Sequence, residues 1–240
     1  MMRILAFIVL LNFCYSALAI ESWELEAGVE VPLQIATRAK ANFNSEFYAT
    51  AGLGMSMDFL MGINSALVGG VGIVGEQTAE VVESALSNAI VVDLRGGWNL
   101  HRFNGLYVEA GYLLMMGGGG DVTVEQLEGA FGVEYSANPL QMSTASQFSI
   151  GSDIHALTFH AGYRWEINNN WLFNVDVGII KPFMSSTTVD VESVVRGSGS
   201  INEATSVANE LKSFSEKEIE DVYLSQLFIP TATAWVSWLF

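Results

Sequence analysis

The stretch "EFYATAGLGMSMDFLM", Glu46 to Met61, alternates from end to end. Phe47, Ala49, Ala51, Leu53, Met55, Met57, Phe59 and Met61 share one face. Tyr48, Thr50, Gly52, Gly54, Ser56 and Asp58 share the other. A period of two residues is the signature of a β-strand, because successive side chains point to opposite faces. One face is wholly apolar, the other polar or small, and the run is longer than the usual strand of a globular protein.

The same pattern recurs on both sides of it. Trp23 to Val31 sets Trp23, Leu25, Ala27, Val29 and Val31 against Glu24, Glu26 and Glu30. Gln34 to Phe43 sets Ile35, Thr37, Ala39, Ala41 and Phe43 against Arg38, Lys40 and Asn42. Ala89 to Leu100 and Leu106 to Met116 place Asp93, Arg95, Tyr107 and Glu109 opposite apolar residues. Asp153 to Glu166 places Thr158, His160, Arg164 and Glu166 opposite Leu157, Phe159, Ala161, Tyr163 and Trp165. Asn170 to Phe183 sets Asn174 and Asp176 against Trp171, Phe173, Val175, Val177 and Ile179. The last run, through "TATAWVSWLF", sets Thr231, Thr233 and Ser237 against Phe228, Ala232, Ala234, Val236, Trp238 and Phe240.

These are eight strands, and their connections differ sharply in length. Asn44-Ser45, His101 to Gly105 and Ile167 to Asn169 are short; 62–88, 117–152 and 184–227 are long. A soluble sandwich has mostly short strands and regular turns. Long strands in even number, joined alternately by short turns and long loops, describe a membrane-spanning antiparallel barrel. The tight first connection at Pro32-Leu33 departs from that rhythm by lying on the long-loop side.

Composition agrees. Hydrophobic residues make up 50% and charged residues 15% of the chain, against about 25% charged in an average soluble protein. The opening "MMRILAFIVLLNFCYSALA" has a positive start at Arg3, an apolar centre and an Ala17-Leu18-Ala19 cleavage pattern, so residues 1–19 are expected to be a signal peptide. The only cysteine, Cys14, falls inside it, which excludes a disulfide framework or a thiolate metal site from residues 20–240. A formal net charge of −16 disfavours nucleic acid as a partner.

The polar faces carry both signs of charge. If Glu26 and Glu30 face inward, an odd-length first connection brings Arg38 and Lys40 inward beside them. Opposite charges on neighbouring strands support one another. An eight-stranded barrel is just wide enough for its side chains to fill it. The expectation is a packed, ion-paired lumen built from Glu24, Glu26, Glu30, Arg38, Lys40, Asp93, Arg95, Glu109, Arg164, Glu166 and Asp176. Aromatic residues gather at both strand ends, as interfacial girdles require.

On these strands, the signal segment and the terminal "WVSWLF", the chain resembles the small bacterial outer-membrane barrels of the OmpA/OmpX type. The resemblance implies an all-β, eight-stranded antiparallel transmembrane barrel over residues 20–240, located in the bacterial outer membrane. It also implies that Trp238 and Phe240 act as an assembly signal for the barrel-insertion machinery.

The loops must carry the specific role. "FLMGINSALVGGVGIVG", Phe59 to Gly75, has no charge. "EQTAEVVESALSNAI" reads as an amphipathic helix, Asp121 to Gly129 as a short acidic one, and Ser200 to Leu227 as mostly helical. Such helices either cap their own barrel or pack between protomers. The apolar run favours the second, giving a homo-oligomer with membrane lipid at contacts formed by Phe59, Leu60, Met61, Ile63, Leu67, Val68, Val71, Ile73, Val74, Leu211 and Phe214. That arrangement resembles the ring-forming, lipid-trapping PopA-type barrels of predatory bacteria, although no residue motif matches that group. The alternative is a monomeric adhesion or surface-binding barrel, and behind it a lipid-modifying outer-membrane enzyme.

Catalysis is not expected. Ser152, Asp153 and His155 lie close in sequence, but alternation sends Ser152 and His155 to opposite faces. The loop acids lack calcium-loop spacing, and Gly117 to Gly120 is no phosphate loop, so neither a metal nor another cofactor is expected.

Overall fold

The computed structural model describes residues 20–56, 76–100, 104–132, 147–193 and 201–240. The expected signal peptide at 1–19 and the uncharged run at 59–75 lie outside them. Strands β1 (Ser22–Val31), β2 (Gln34–Asn42), β3 (Phe47–Met55), β4 (Ile90–Asn99) and β5 (Leu106–Met116) pair in sequence order. Strand β5 pairs next with β7 (Gln147–Glu166), then come β8 (Trp171–Ser193) and β9 (Ile229–Leu239), and β9 pairs with β1. Eight antiparallel strands therefore close on themselves, leaving no open edge through the wall. A short ninth strand, β6 (Gly120–Thr123), pairs with the far end of β7.

The first hairpin has the expected parity. Glu30 pairs with Gln34 across a three-residue connection, so Glu26 lies opposite Arg38 and Glu24 opposite Lys40. Two of the short turns use one device. Asn44 Oδ1 accepts from the Glu46 and Phe47 amides, and Asn168 Oδ1 accepts from the Asn170 and Trp171 amides. An asparagine side chain mimics the turn backbone in this way.

The outer wall is apolar. Leu25, Leu53, Leu94, Leu157, Phe159 and Val177 stand exposed on it. At the turn end Trp23, Phe47, Trp98, Trp165, Trp171 and Trp238 ring the barrel, with Phe47 stacked on Trp98 and Trp171 against Trp238. At the loop end Tyr112, His155 and Phe183 pack together facing outward.

The main difference from the sequence reading is the length of β7 and β8. They extend to Gln147 and Ser193, into stretches read as loop. Within the barrel, polar residues such as His160 and Asn174 face inward. Beyond it the faces invert: Phe148, Ile150, Ile154 and Val189 are buried, while Asp153, Thr188 and Asp190 are exposed. A register shift between His155 and Ala156 accompanies the inversion. An outer face carrying Asp153, Thr188 and Asp190 suits water and not lipid, which accounts for the reversal in which residues point outward.

Helices α1 (Glu76–Leu86), α2 (Val124–Phe131) and α3 (Ile201–Asp221) pack at the loop end, and a π-helical turn, Val222–Gln226, follows α3. Helix α2 starts later than expected because Thr123 and Gln126 form a reciprocal capping box, and Gly132 ends it in a left-handed conformation. The α1 face carrying Val81, Val82, Ala85 and Leu86, the α2 residue Leu127 and the α3 residues Ala208, Leu211 and Ile219 all join one buried cluster.

Candidate functional site

The barrel interior has two layers. The turn-side layer is ionic. Arg38 donates from Nε to Glu26 at 2.9 Å and reaches Glu109 at 3.4 Å. Arg95 pairs with Glu30 at 3.0 Å, bonds Asp93 on its own strand and faces Glu109 at 3.6 Å. Arg164 of β7 reaches Glu24 of β1 at 3.2 Å, across the inner faces of β8 and β9. Lys40 lies 4.0 Å from Glu24 and 3.6 Å from the centre of the Tyr48 ring. His160 stands between Asp176 at 2.8 Å and Glu30 at 3.4 Å. Ten of the eleven residues expected in this network are in it. Glu166 is not: it is exposed at the turn rim, because β7 has left the lumen by that position.

Neutral donors complete the layer. Tyr48 donates its hydroxyl to Glu109 and Tyr107 to Asp176. Asn174 and Ser237 both donate to Glu26. The Arg38 guanidinium lies 3.8 Å above the buried Trp235 ring, a cation–π contact shielded from water. Buried charges are tolerated only when paired and hydrogen-bonded in this manner. Removing one partner of a buried pair costs about 3–5 kcal/mol.

Glycine makes room for these side chains. Tyr48 lies directly across from Gly97, Tyr107 from Gly162, His160 from Gly178 and Trp235 from Gly28. A Cβ at Gly97 would fall 2.0 Å from the Tyr48 ring. Glycine inside a strand marks such close approaches. Sequence reading missed this role, although the inward phase of these glycines was visible.

The loop-side layer is apolar. Leu33, Val91, Leu113, Met115, Ile154, Ile180 and Ile229 fill the interior and run without a break into the buried faces of the three helices. Above them Tyr223 is fully buried, and that burial pushes its hydroxyl well above the usual phenol range. Ser152 Oγ bonds Thr187 Oγ1 inside the cap, while His155 points outward to Tyr112.

The other expected contact residues divide. Leu211 is 1% exposed within its own chain's cap, and Phe214 packs edge-on to Phe131 of α2 at 6.2 Å. Their positions thus face this chain's own cap, because the α3 stripe they belong to lies over β8 and reaches α2. Phe59, Leu60, Met61, Ile63, Leu67, Val68, Val71, Ile73 and Val74 lie outside the described residues. Trp238 and Phe240 sit at the turn-end girdle, where the Phe240 amide donates to the Trp23 carbonyl and closes the barrel.

A closed ring of eight strands, an apolar outer belt between aromatic rings and an ionic layer inside the wall together give the architecture of an outer-membrane β-barrel. No family model matches the chain, and no curated protein matches its sequence. Among solved structures it is similar to the N-terminal β-barrel domain of Pseudomonas aeruginosa OprF, at 11% identity and a TM-score of 0.43 over 92% of this chain and 98% of that one. It is similar also to a major outer membrane protein from Thermus thermophilus, at 13% identity and a TM-score of 0.44 over 91% and 99%. A third is Acinetobacter baumannii CarO2, at 12% and 0.40 over 91% and 97%.

Proposed function

We propose that this protein is a non-conducting outer-membrane barrel of structural or interaction type, in which the wall anchors and the loop-side cap meets partners. One observation carries the reading: the ionic layer and the apolar layer fill the interior in series, and the apolar layer continues into the helical cap. A pore needs a continuous wetted path, and a layer of Leu113, Met115, Ile154, Ile180 and Ile229 offers no polar group to solvate an ion. The role then falls to the cap, whose described segments hold fifteen acidic residues and two lysines. Such a surface suits a partner with a basic face. Purified protein in planar bilayers is expected to give no discrete conductance steps; reproducible open steps would overturn the reading. No catalytic residue is assigned.

A second reading is self-association through the run Phe59 to Gly75, with lipid held at the contact. Its support is the absence of any charge along that run on the side of the membrane where loops meet water. Cross-linking in native membranes is expected to give a ladder of discrete oligomers; a monomer band alone would exclude it.

A further inference from the structure

Above residue Ile180, β8 has lost its neighbour, since β9 pairs no further than Ile229. An unpaired strand edge presents amides that need acceptors. Here a helix supplies them. The Thr187 amide donates to Glu220 Oε1 at 2.9 Å, and the Val189 amide donates to Glu216 Oε1 at 3.0 Å. The match is geometric. Four residues of helix rise about 6 Å, and two residues of strand about 6.6–6.8 Å. Glutamates four apart on α3 therefore stand in for alternate carbonyls of a missing strand. One helical turn earlier the ladder ends at Lys212, which holds Asp190 of β8 at 3.0 Å and lies 3.9 Å from Glu216.

The two docked elements bear charge of the same sign. Helix α3 has six acidic residues and two lysines, and the exposed arms of the hairpin, 147–156 and 182–193, have three acidic residues and no lysine or arginine. Asp190 and Glu192 of the β8 arm thus lie beside a helix that carries Glu216 and Glu220 on its strand-facing side, and Lys212 is the cation that bridges Asp190 to Glu216. Carboxylate–amide bonds and the buried stripe of Ala208, Leu211, Ser215 and Ile219 hold the helix down. Repulsion between the like-charged elements pushes it off; mobile ions screen that repulsion, whose like-charged pairs outnumber the Lys212 attractions they also screen.

We propose that α3 is an electrostatically loaded lid on the β8 edge, closed when counterions screen the cap and opening as ionic strength falls. Opening frees the Thr187 and Val189 amides and uncovers the apolar β8 surface at Val189. This inference goes beyond the non-conducting reading and does not depend on it, because a barrel that conducts could carry the same lid.

The test is site-resolved amide exchange on the full chain in lipid nanodiscs. Charges act over about 30 Å at about 0.01 M salt and about 10 Å at about 0.1 M. Exchange at Thr187 and Val189 is expected to be about tenfold slower at the higher salt, while Ala49 and Val108 in the barrel wall stay unchanged. Glu216→Gln with Glu220→Gln keeps two acceptor carbonyls and removes two charges, and is expected to flatten the salt dependence. Lys212→Gln is expected to steepen it. Equal protection of the two amides at both salt concentrations in the unaltered protein would overturn the proposal, as would exchange that is fast at both.

Discussion

Gly96 and Gly97 are neighbours in β4 and do opposite things. Gly97 faces the lumen beneath the Tyr48 ring, whereas a Cβ at Gly96 would meet nothing within 4 Å. Gly97→Ala must move Tyr48, and with it the hydrogen bond to Glu109 and the ring beneath Lys40. Overpacking of this kind costs about 1–3 kcal/mol. Gly96→Ala has open space and is expected to cost almost nothing, so urea unfolding of the two variants in detergent should separate by that amount. The sequence made half of this visible. Alternation assigned Arg38, Arg95 and Glu109 to one interior, and the same phase carried along β4 implies opposite faces for the two glycines. It could not say that Arg38 and Arg95, on β2 and β4, both reach Glu109 on β5, because transverse distances depend on strand tilt and closure. Glu166 failed for a related reason: a strand's phase continues past the point where the barrel wall ends.

At the scale of elements, the membrane-embedded strands were legible because lipid on one side and a filled interior on the other impose a strict dyad. The upper arms of β7 and β8 were not. In "QFSIGSDI" the apolar residues Phe148, Ile150 and Ile154 occupy even positions, whereas from Leu157 onward they occupy odd ones. In β8 the odd positions are apolar both at Val175, Val177 and Ile179 and at Val189 and Val191, yet the register shift turns Val189 inward where Val177 had pointed outward. A pattern scored for one solvent reads this inversion as a loop. Helix α2 shows the reverse case. The Thr123-x-x-Gln126 spacing is a local signal that needs no tertiary knowledge, and it places the start of the helix three residues after Asp121. Helix α3 kept its apolar stripe, but an amphipathic stripe does not say whether the surface it meets belongs to its own chain. The buried position of Leu211 against the cap answers that for this stripe alone.

For the whole molecule, the decisive boundary is the height at which lipid gives way to water, and β8 crosses it. Val177 and Thr188 both point away from the barrel axis, on the same strand, one below the register shift and one above it. Val177 is 64% exposed on the apolar belt, and Thr188 is exposed among Ser186, Asp190 and Glu192. An arginine on the lipid face of a barrel costs about 2–4 kcal/mol near the midplane and about 0–1 near the interface. Val177→Arg is therefore expected to lower folding stability in bilayers by about 2–4 kcal/mol. Thr188→Arg is expected to leave it unchanged or raise it slightly, since the new cation faces an acidic cap. Reversible urea titration in lipid vesicles measures both. Equal penalties would mean that lipid reaches the upper arms and that the cap lies within the membrane. Equal tolerance would mean that the belt around Val177 does not meet lipid. Only the unequal result is consistent with one strand that serves two solvents, with its buried face ionic in the first and apolar in the second.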